Sequence, residues 1–127
     1  MEVLLDSHVL LWALFSPHHV GPQTVDLLGA AESVRISTAS LWELAITFAK
    51  GRLPHSPAQL AAGVEALGAA ELSVAHRHLV ALPDVDLPHV DPFDTMLIAQ
   101  SHTDGLTLVT ADHLLLASAY DTFDARS

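Results

Sequence analysis

The sequence reads as a single α/β domain, three layers deep, with a central, mostly parallel five-stranded sheet between helices. Three observations carry that reading. Short apolar runs at residues 3–5, 34–38 and 106–109 have the length of buried strands. Segments of helical periodicity separate them, and strands alternating with helices imply parallel strands joined by right-handed crossovers. At 127 residues the chain forms one domain, 1–127, large enough for a continuous core without staples.

The elements follow in order. Val3-Leu4-Leu5 is a strand that stops at Asp6, and Val9, Leu10, Leu11, Trp12, Leu14 and Phe15 continue as a helix with a wide apolar face. Ser16-Pro17 and Gly21-Pro22 are breakers, and residues 23–31 form a short second helix. The run at 34–38 is the second strand. A helix from about Ser40 carries Leu41, Trp42, Leu44, Ala45, Ile46 and Phe48, has Glu43 in its first turn, and ends where Lys50 precedes Gly51. After a loop over 54–57, residues 58–67 make a helix closed by Gly68. A short third strand at 71–74 and a helix around 77–81 follow. Residues 83–89 form an irregular connector into a helix whose start is marked by Asp91-Pro92, an N-cap followed by a first-turn proline. Asp94 falls in the first turn of that helix, and Asp104-Gly105 ends it. The strand at 106–109 leads through Thr110-Ala111 to Asp112, then to a weak helix through Leu116 and an edge strand at 120–123.

Composition narrows the function. There is no cysteine, so neither a disulfide nor a thiolate metal site is available. No basic leader and no apolar run near the roughly 20 residues of a membrane span is present, and the expectation is a soluble cytoplasmic protein. Half of the residues are hydrophobic and 16% are charged, against about 25% charged in an average domain, which leaves apolar surface for a second chain to cover. The net charge of −10, with only Arg35, Lys50, Arg52, Arg77 and Arg126 as fixed cations, argues against broad attraction to nucleic acid. A phosphate substrate would need metal ions.

Four acids, Asp6, Glu43, Asp94 and Asp112, stand at the carboxyl edge of the sheet, where α/β folds of this kind bind ligands. Each has a structural reading of its own. Asp6 and Asp112 can cap the helices after them, Asp94 can complement a helix dipole, and Ser40-x-x-Glu43 fits a capping box. Together, four carboxylates at one edge repel unless a cation compensates. Mg²⁺ or Mn²⁺ takes carboxylate oxygens and supports in-line displacement at phosphorus.

Four segments taken together resemble the PIN-domain ribonucleases, and among them VapC-like toxins of bacterial toxin–antitoxin pairs. These are LLDSHVLLW at 4–12, SLWELAI at 40–46, HVDPFDTMLIAQ at 89–100 and LVTAD at 108–112, and the similarity spans nearly the whole chain. The resemblance implies a PIN-like three-layer α/β/α domain. It further implies Asp6, Glu43, Asp94 and Asp112 as the catalytic, Mg²⁺- or Mn²⁺-binding quartet, Thr110 as a supporting polar group, and RNA as substrate. Thr95 and Thr47 depart from the pattern, standing where these toxins often carry Arg and Lys.

From the apolar composition and this resemblance together comes an expected homodimer whose groove lies around Leu10, Leu11, Leu14, Phe15 and the helix over 41–48. A cognate VapB-like antitoxin would fill that groove and insert an Arg among the four acids. Asp91 reads as an N-cap. The nine histidines lack zinc spacing, His89-x-Asp91 included, and His8 is the one placed to touch the site. Trp12 and Trp42 read as core or interface residues rather than base-stacking platforms. Two alternatives to a nuclease are a doubly wound phosphoacceptor or regulatory domain centred on Asp6, and a catalytically silent PIN-like binding subunit.

Overall fold

Strand β1 (Glu2–Leu5) buries Val3, Leu4 and Leu5 completely because it is the middle strand of the sheet. On one side it pairs with β2 (Ser33–Ser37), Val3 opposite Val34, and on the other with β4 (Thr107–Thr110), Val3 opposite Thr107. The short strands β3 (Ala70–Leu72) and β5 (Thr122–Asp124) flank β2 and β4, giving the order β3-β2-β1-β4-β5 with every pairing parallel. The computed structural model that establishes this describes residues 1–88 and 91–127. His89 and Val90, the start of the third motif and of the His89-x-Asp91 pair, lie outside the described residues.

Seven helices accompany the sheet in the described residues: α1 (Ser7–Phe15), α2 (Pro22–Ala30), α3 (Thr38–Ala49), α4 (Pro57–Ala66), α5 (His76–Ala81), α6 (Pro92–Asp104) and α7 (His113–Leu116). Side chains alternate across a strand, so β1 and β4 feed two cores at once. Val3, Leu5 and Val109 pack with Val9 and Leu10 of α1, Leu44 of α3 and Leu60 of α4, whereas Leu4 and Leu108 pack with Leu97 and Ile98 of α6 and Leu115 of α7. Covering both faces is what an all-parallel sheet requires, and it yields the three layers expected. No helix of the described residues is long and apolar enough to cross a membrane.

Several boundaries differ from the sequence reading. Helix α3 begins at Thr38, two residues before Ser40, because the Ser37 hydroxyl accepts the Ala39 N–H at 3.0 Å and caps it. Ser40 is therefore a buried helical residue, the expected capping box at Ser40-x-x-Glu43 does not form, and Glu43 lies beyond the first turn. The box occurs instead at α4, between Ser56 and Gln59. β3 covers 70–72 rather than 71–74, and β5 lies two residues later than its apolar signal. Helix α6 ends as its sequence suggests, at Gly105, whose φ of 69° is a left-handed conformation that a Cβ would strain.

Helices α5 and α6 are locked by one polar cluster. The Arg77 guanidinium donates two hydrogen bonds to the Asp104 carboxylate, at 2.9 and 2.8 Å. His78, fully buried, accepts the Ala75 N–H on Nδ1 at 3.0 Å, which leaves Nε2 to donate to Asp104 at 3.1 Å. Arg77 first, then His78, holds the Asp104 carboxyl down to about 2. Because this lies below the unfolded value of about 3.9, the cluster stabilises the fold fully above that pH and is lost as pH falls toward 2. Arg77 is half exposed, so solvent screening reduces the effect, and Asp104→Asn is expected to cost about 1 kcal/mol at neutral pH. Urea titrations at pH 7 and pH 2.5 test this: the variant's deficit should shrink at the lower pH, and an equal deficit at both would refute the linkage.

Candidate active site

The chain reverses direction across the sheet at β1. Strands β2 and β3 build outward on one side, after which α6 carries the chain back over to β4 on the other. A crevice opens beyond the carboxyl ends of strands at such a switch point. Here it is a cleft of about 370 Å³ whose lining includes Asp6, Glu43, Asp94 and Asp112. The four acids singled out in the sequence thus line one cleft, Asp6, Asp94 and Asp112 from the starts of α1, α6 and α7 and Glu43 from beyond the first turn of α3.

Asp6 follows β1 and is only 7% exposed. Its Oδ1 accepts the Val9 N–H at 2.9 Å, capping α1, and its other oxygen accepts the Thr110 hydroxyl. Burial raises its pKa above the ordinary carboxylate range, and the Asp112 charge adds to the rise; Thr110, the Val9 N–H and His8 oppose it. Thr110 is fully buried at the end of β4, and its Oγ1 also accepts the Asp112 N–H at 3.1 Å. One hydroxyl therefore ties the two strand ends and their acids to each other.

Asp112 caps α7, its Oδ1 accepting the Leu114 and Leu115 N–H groups at 2.9 and 3.1 Å. Asp91 caps α6 in the same way for Phe93 and Asp94, and Asp94 occupies the first turn as expected. Glu43 is reached across the cleft by the Ser7 hydroxyl, which donates to its Oε1 at 2.5 Å. The structural readings of Asp6, Asp91 and Asp112 as caps are correct, and capping is also what aims these carboxylates at the cleft.

All the acids present oxygen donors, the kind preferred by Mg²⁺ and Mn²⁺. Among the described residues no three His, Asp or Glu side chains already stand close enough together to hold an ion. Asp6 and Asp112 are engaged by backbone N–H groups, and Glu43 accepts from the Ser7 hydroxyl. Each capping carboxylate keeps unused lone pairs, Asp112 the whole of Oδ2. The set suits a cation held by one or two carboxylates together with water and phosphate, rather than a closed protein cage.

Other lining residues carry weak sequence signals or none. His8 lies at the cleft as anticipated. Ser7, Asp91 and Trp12 line it too, as does Arg126, which arrives from beyond β5. Neither tryptophan belongs to the deep core: Trp12 is partly buried and faces the cleft, while Trp42 is 65% exposed with its ring edge-on to Phe93 at 5.5 Å. Thr47 and Thr95 turn their hydroxyls back onto the Glu43 and Asp91 carbonyls of their own helices, at 3.0 and 2.8 Å.

Known structures share this architecture. A VapBC2 complex from Rickettsia felis bound to a DNA fragment from their promoter is 16% identical, with a TM-score of 0.63 over 88% of this chain and 89% of that one. FitAB bound to an IR36 DNA fragment is 17% identical, with a TM-score of 0.72 over 100% of this chain and 96% of that one. FitAcB from Neisseria gonorrhoeae is 20% identical, with a TM-score of 0.68 over 98% of each chain. At these identities the likeness concerns the fold. No curated protein matches the sequence significantly. The PIN domain family model matches residues 3–119, nearly the entire chain, and the chain therefore belongs to the PIN domain family.

Proposed function

We propose that this PIN domain is a VapC-like toxin, a Mg²⁺- or Mn²⁺-dependent endoribonuclease held inactive by a cognate antitoxin. The observation that carries the proposal is the convergence of Asp6, Glu43, Asp94 and Asp112 on one cleft at the switch point of the sheet. PIN domains are generally nucleases, and solved structures that share this fold include toxin–antitoxin complexes. A bound Mg²⁺ or Mn²⁺ supplies charge neutralisation at the phosphodiester and an activated water for in-line attack. One or two of the four carboxylates would hold the ion with the others beside it, Thr110 and the Val9 N–H orient Asp6, and the Ser7 hydroxyl donates to Glu43. A cation in the cleft would offset the mutual repulsion of the acids that line it, which favours its binding.

The same reading includes a homodimer and a VapB-like partner in the cytoplasm. Trp42, Phe48 and Phe15 are exposed apolar groups on α1 and α3 that an apolar antitoxin segment would cover, and an Arg entering beside them would meet the acids. Leu10 lies in the core and takes no part in that surface, contrary to the groove drawn from sequence. The test is to purify the chain with its antitoxin and assay RNA cleavage in Mn²⁺ before and after the antitoxin is digested away. Cleavage should appear on digestion. A freed chain that cleaves no RNA would favour the silent binding subunit or the phosphoacceptor domain, and an intact complex that cleaves as fast would refute the inhibition.

A further inference from the structure

Arg126 is the one Lys or Arg lining a cleft that also presents Asp6, Glu43, Asp91, Asp94 and Asp112. A guanidinium among five carboxylates would ordinarily pair with one of them. Among the described residues this one makes no ion pair, whereas Arg35 is committed to Glu2 and Arg77 to Asp104. Two contacts hold it instead: Nη1 donates to the Ala111 carbonyl at 2.7 Å, and the guanidinium carbon lies 5.5 Å from the centroid of the Trp12 ring. The backbone beneath it is equally constrained. Its N–H donates to Asp124 at 2.9 Å, Gly21 donates to Ala125 at 2.9 Å, and Thr24 donates to Ser127 at 3.1 Å. A Cβ on Gly21 would come within 2.3 Å of the Arg126 carbonyl oxygen, so the start of α2 is shaped to receive this segment.

The geometry points to Arg126 as a substrate-positioning residue that receives a phosphate of the RNA strand adjoining the acids, an inference that rests on the nuclease reading above. The guanidinium carries five N–H donors and is always charged, and the Ala111 bond uses one of them. The remaining fork matches a phosphate's oxygens, and the Trp12 face and Ala111 carbonyl orient it before the ligand arrives, which reduces the ordering cost of binding. In a chain of net charge −10 a fixed cation at this position offsets the repulsion that the acids exert on an incoming strand.

The experiment compares wild type, Arg126→Ala and Arg126→Lys for binding of a single-stranded RNA oligonucleotide by fluorescence anisotropy in Ca²⁺, from 50 to 200 mM salt, and for single-turnover cleavage in Mn²⁺. Arg126→Ala should weaken binding about tenfold and make the dependence of log Kd on log salt shallower by about 0.7, the signature of one lost phosphate contact on a single strand. Arg126→Lys should restore the salt slope while recovering only part of the affinity, since an ammonium lacks the fork. The Mn²⁺-induced rise in melting temperature should stay as in wild type. Unaltered affinity and salt slope in Arg126→Ala, with wild type binding and cleaving RNA, would overturn this inference alone. A slope that Lys fails to restore would assign Arg126 a purely structural role and overturn it too. Wild type that neither binds nor cleaves RNA would overturn the nuclease reading and this inference with it.

Discussion

Asp6→Asn is expected to abolish metal-dependent RNA cleavage, by well over the roughly 10–100-fold that loss of a mere supporting partner costs. Asp6 is the most buried of the four acids, and both of its oxygens are oriented by other groups, Val9 and Thr110. The amide keeps the shape and still accepts the Val9 N–H, so α1 retains its cap. What it lacks is charge. Burial already disfavours the ionised carboxylate, and a bound cation would favour it. The ion-free variant should therefore be as stable as wild type or more so. In wild type, Mn²⁺ at a hundredfold excess over Kd should stabilise the fold by about 2.7 kcal/mol, and in Asp6→Asn that gain should largely vanish. Paired melting curves with and without Mn²⁺, run beside the cleavage assay, decide the matter: activity within a few-fold of wild type would remove Asp6 from the catalytic set.

Thr110→Val is expected to have the second largest effect, although it changes no carboxylate. Threonine and valine have nearly the same shape, so the substitution removes the hydroxyl and little else. The substitution removes the acceptor of the part-buried Asp112 N–H and the donor to the buried Asp6. A cost of about 1–3 kcal/mol follows, read as a drop of roughly 4–11 °C in melting temperature for a domain of this size. Because both Asp6 and Asp112 lose the group that links them, Mn²⁺ affinity should fall about 10–100-fold. Thr110→Ser, which keeps the hydroxyl, should recover most of that affinity. If valine lowers stability while leaving Mn²⁺ affinity at the wild-type value, Thr110 supports the fold and not the acids.

Much of this arrangement is legible in the sequence because local signals and global topology agree. The apolar runs around Leu4 and Leu108 are short, terminate in acids, and can be buried on both faces only as central strands. Asp91-Pro92 marks the start of α6 without help from the rest of the chain. Local signals mislead at Ser40, where a capping pattern is present but Ser37 has already started the helix, and at β5, where the apolar pair Tyr120 and Phe123 draws the expected strand forward. Contacts between distant residues leave no trace in a single sequence. The Ser7–Glu43 bond spans 36 positions and the Thr110–Asp6 bond 104. Arg126 has no motif around it, and its place at the cleft depends on the pairing of β5 with β4 and on the fit of residues 125–127 against Gly21.

The central position of β1 between β2 and β4 has a consequence for synthesis. β1, β2 and β3 emerge from the ribosome first and can pair in sequence, but the other flank of β1 stays open until Thr107–Thr110 is available. Closing that pair brings together residues about a hundred positions apart, a contact that forms late because its loop entropy must be overcome first. Asp112, Thr110 and Arg126 all lie in this last portion. A nascent chain interrupted between α3 and β4 therefore carries Asp6 and Glu43 without Thr110, Asp112 and Arg126. On the proposed function, translation products that stop short of β4 are expected to lack RNA-cleaving activity, a safeguard for the cell that makes them.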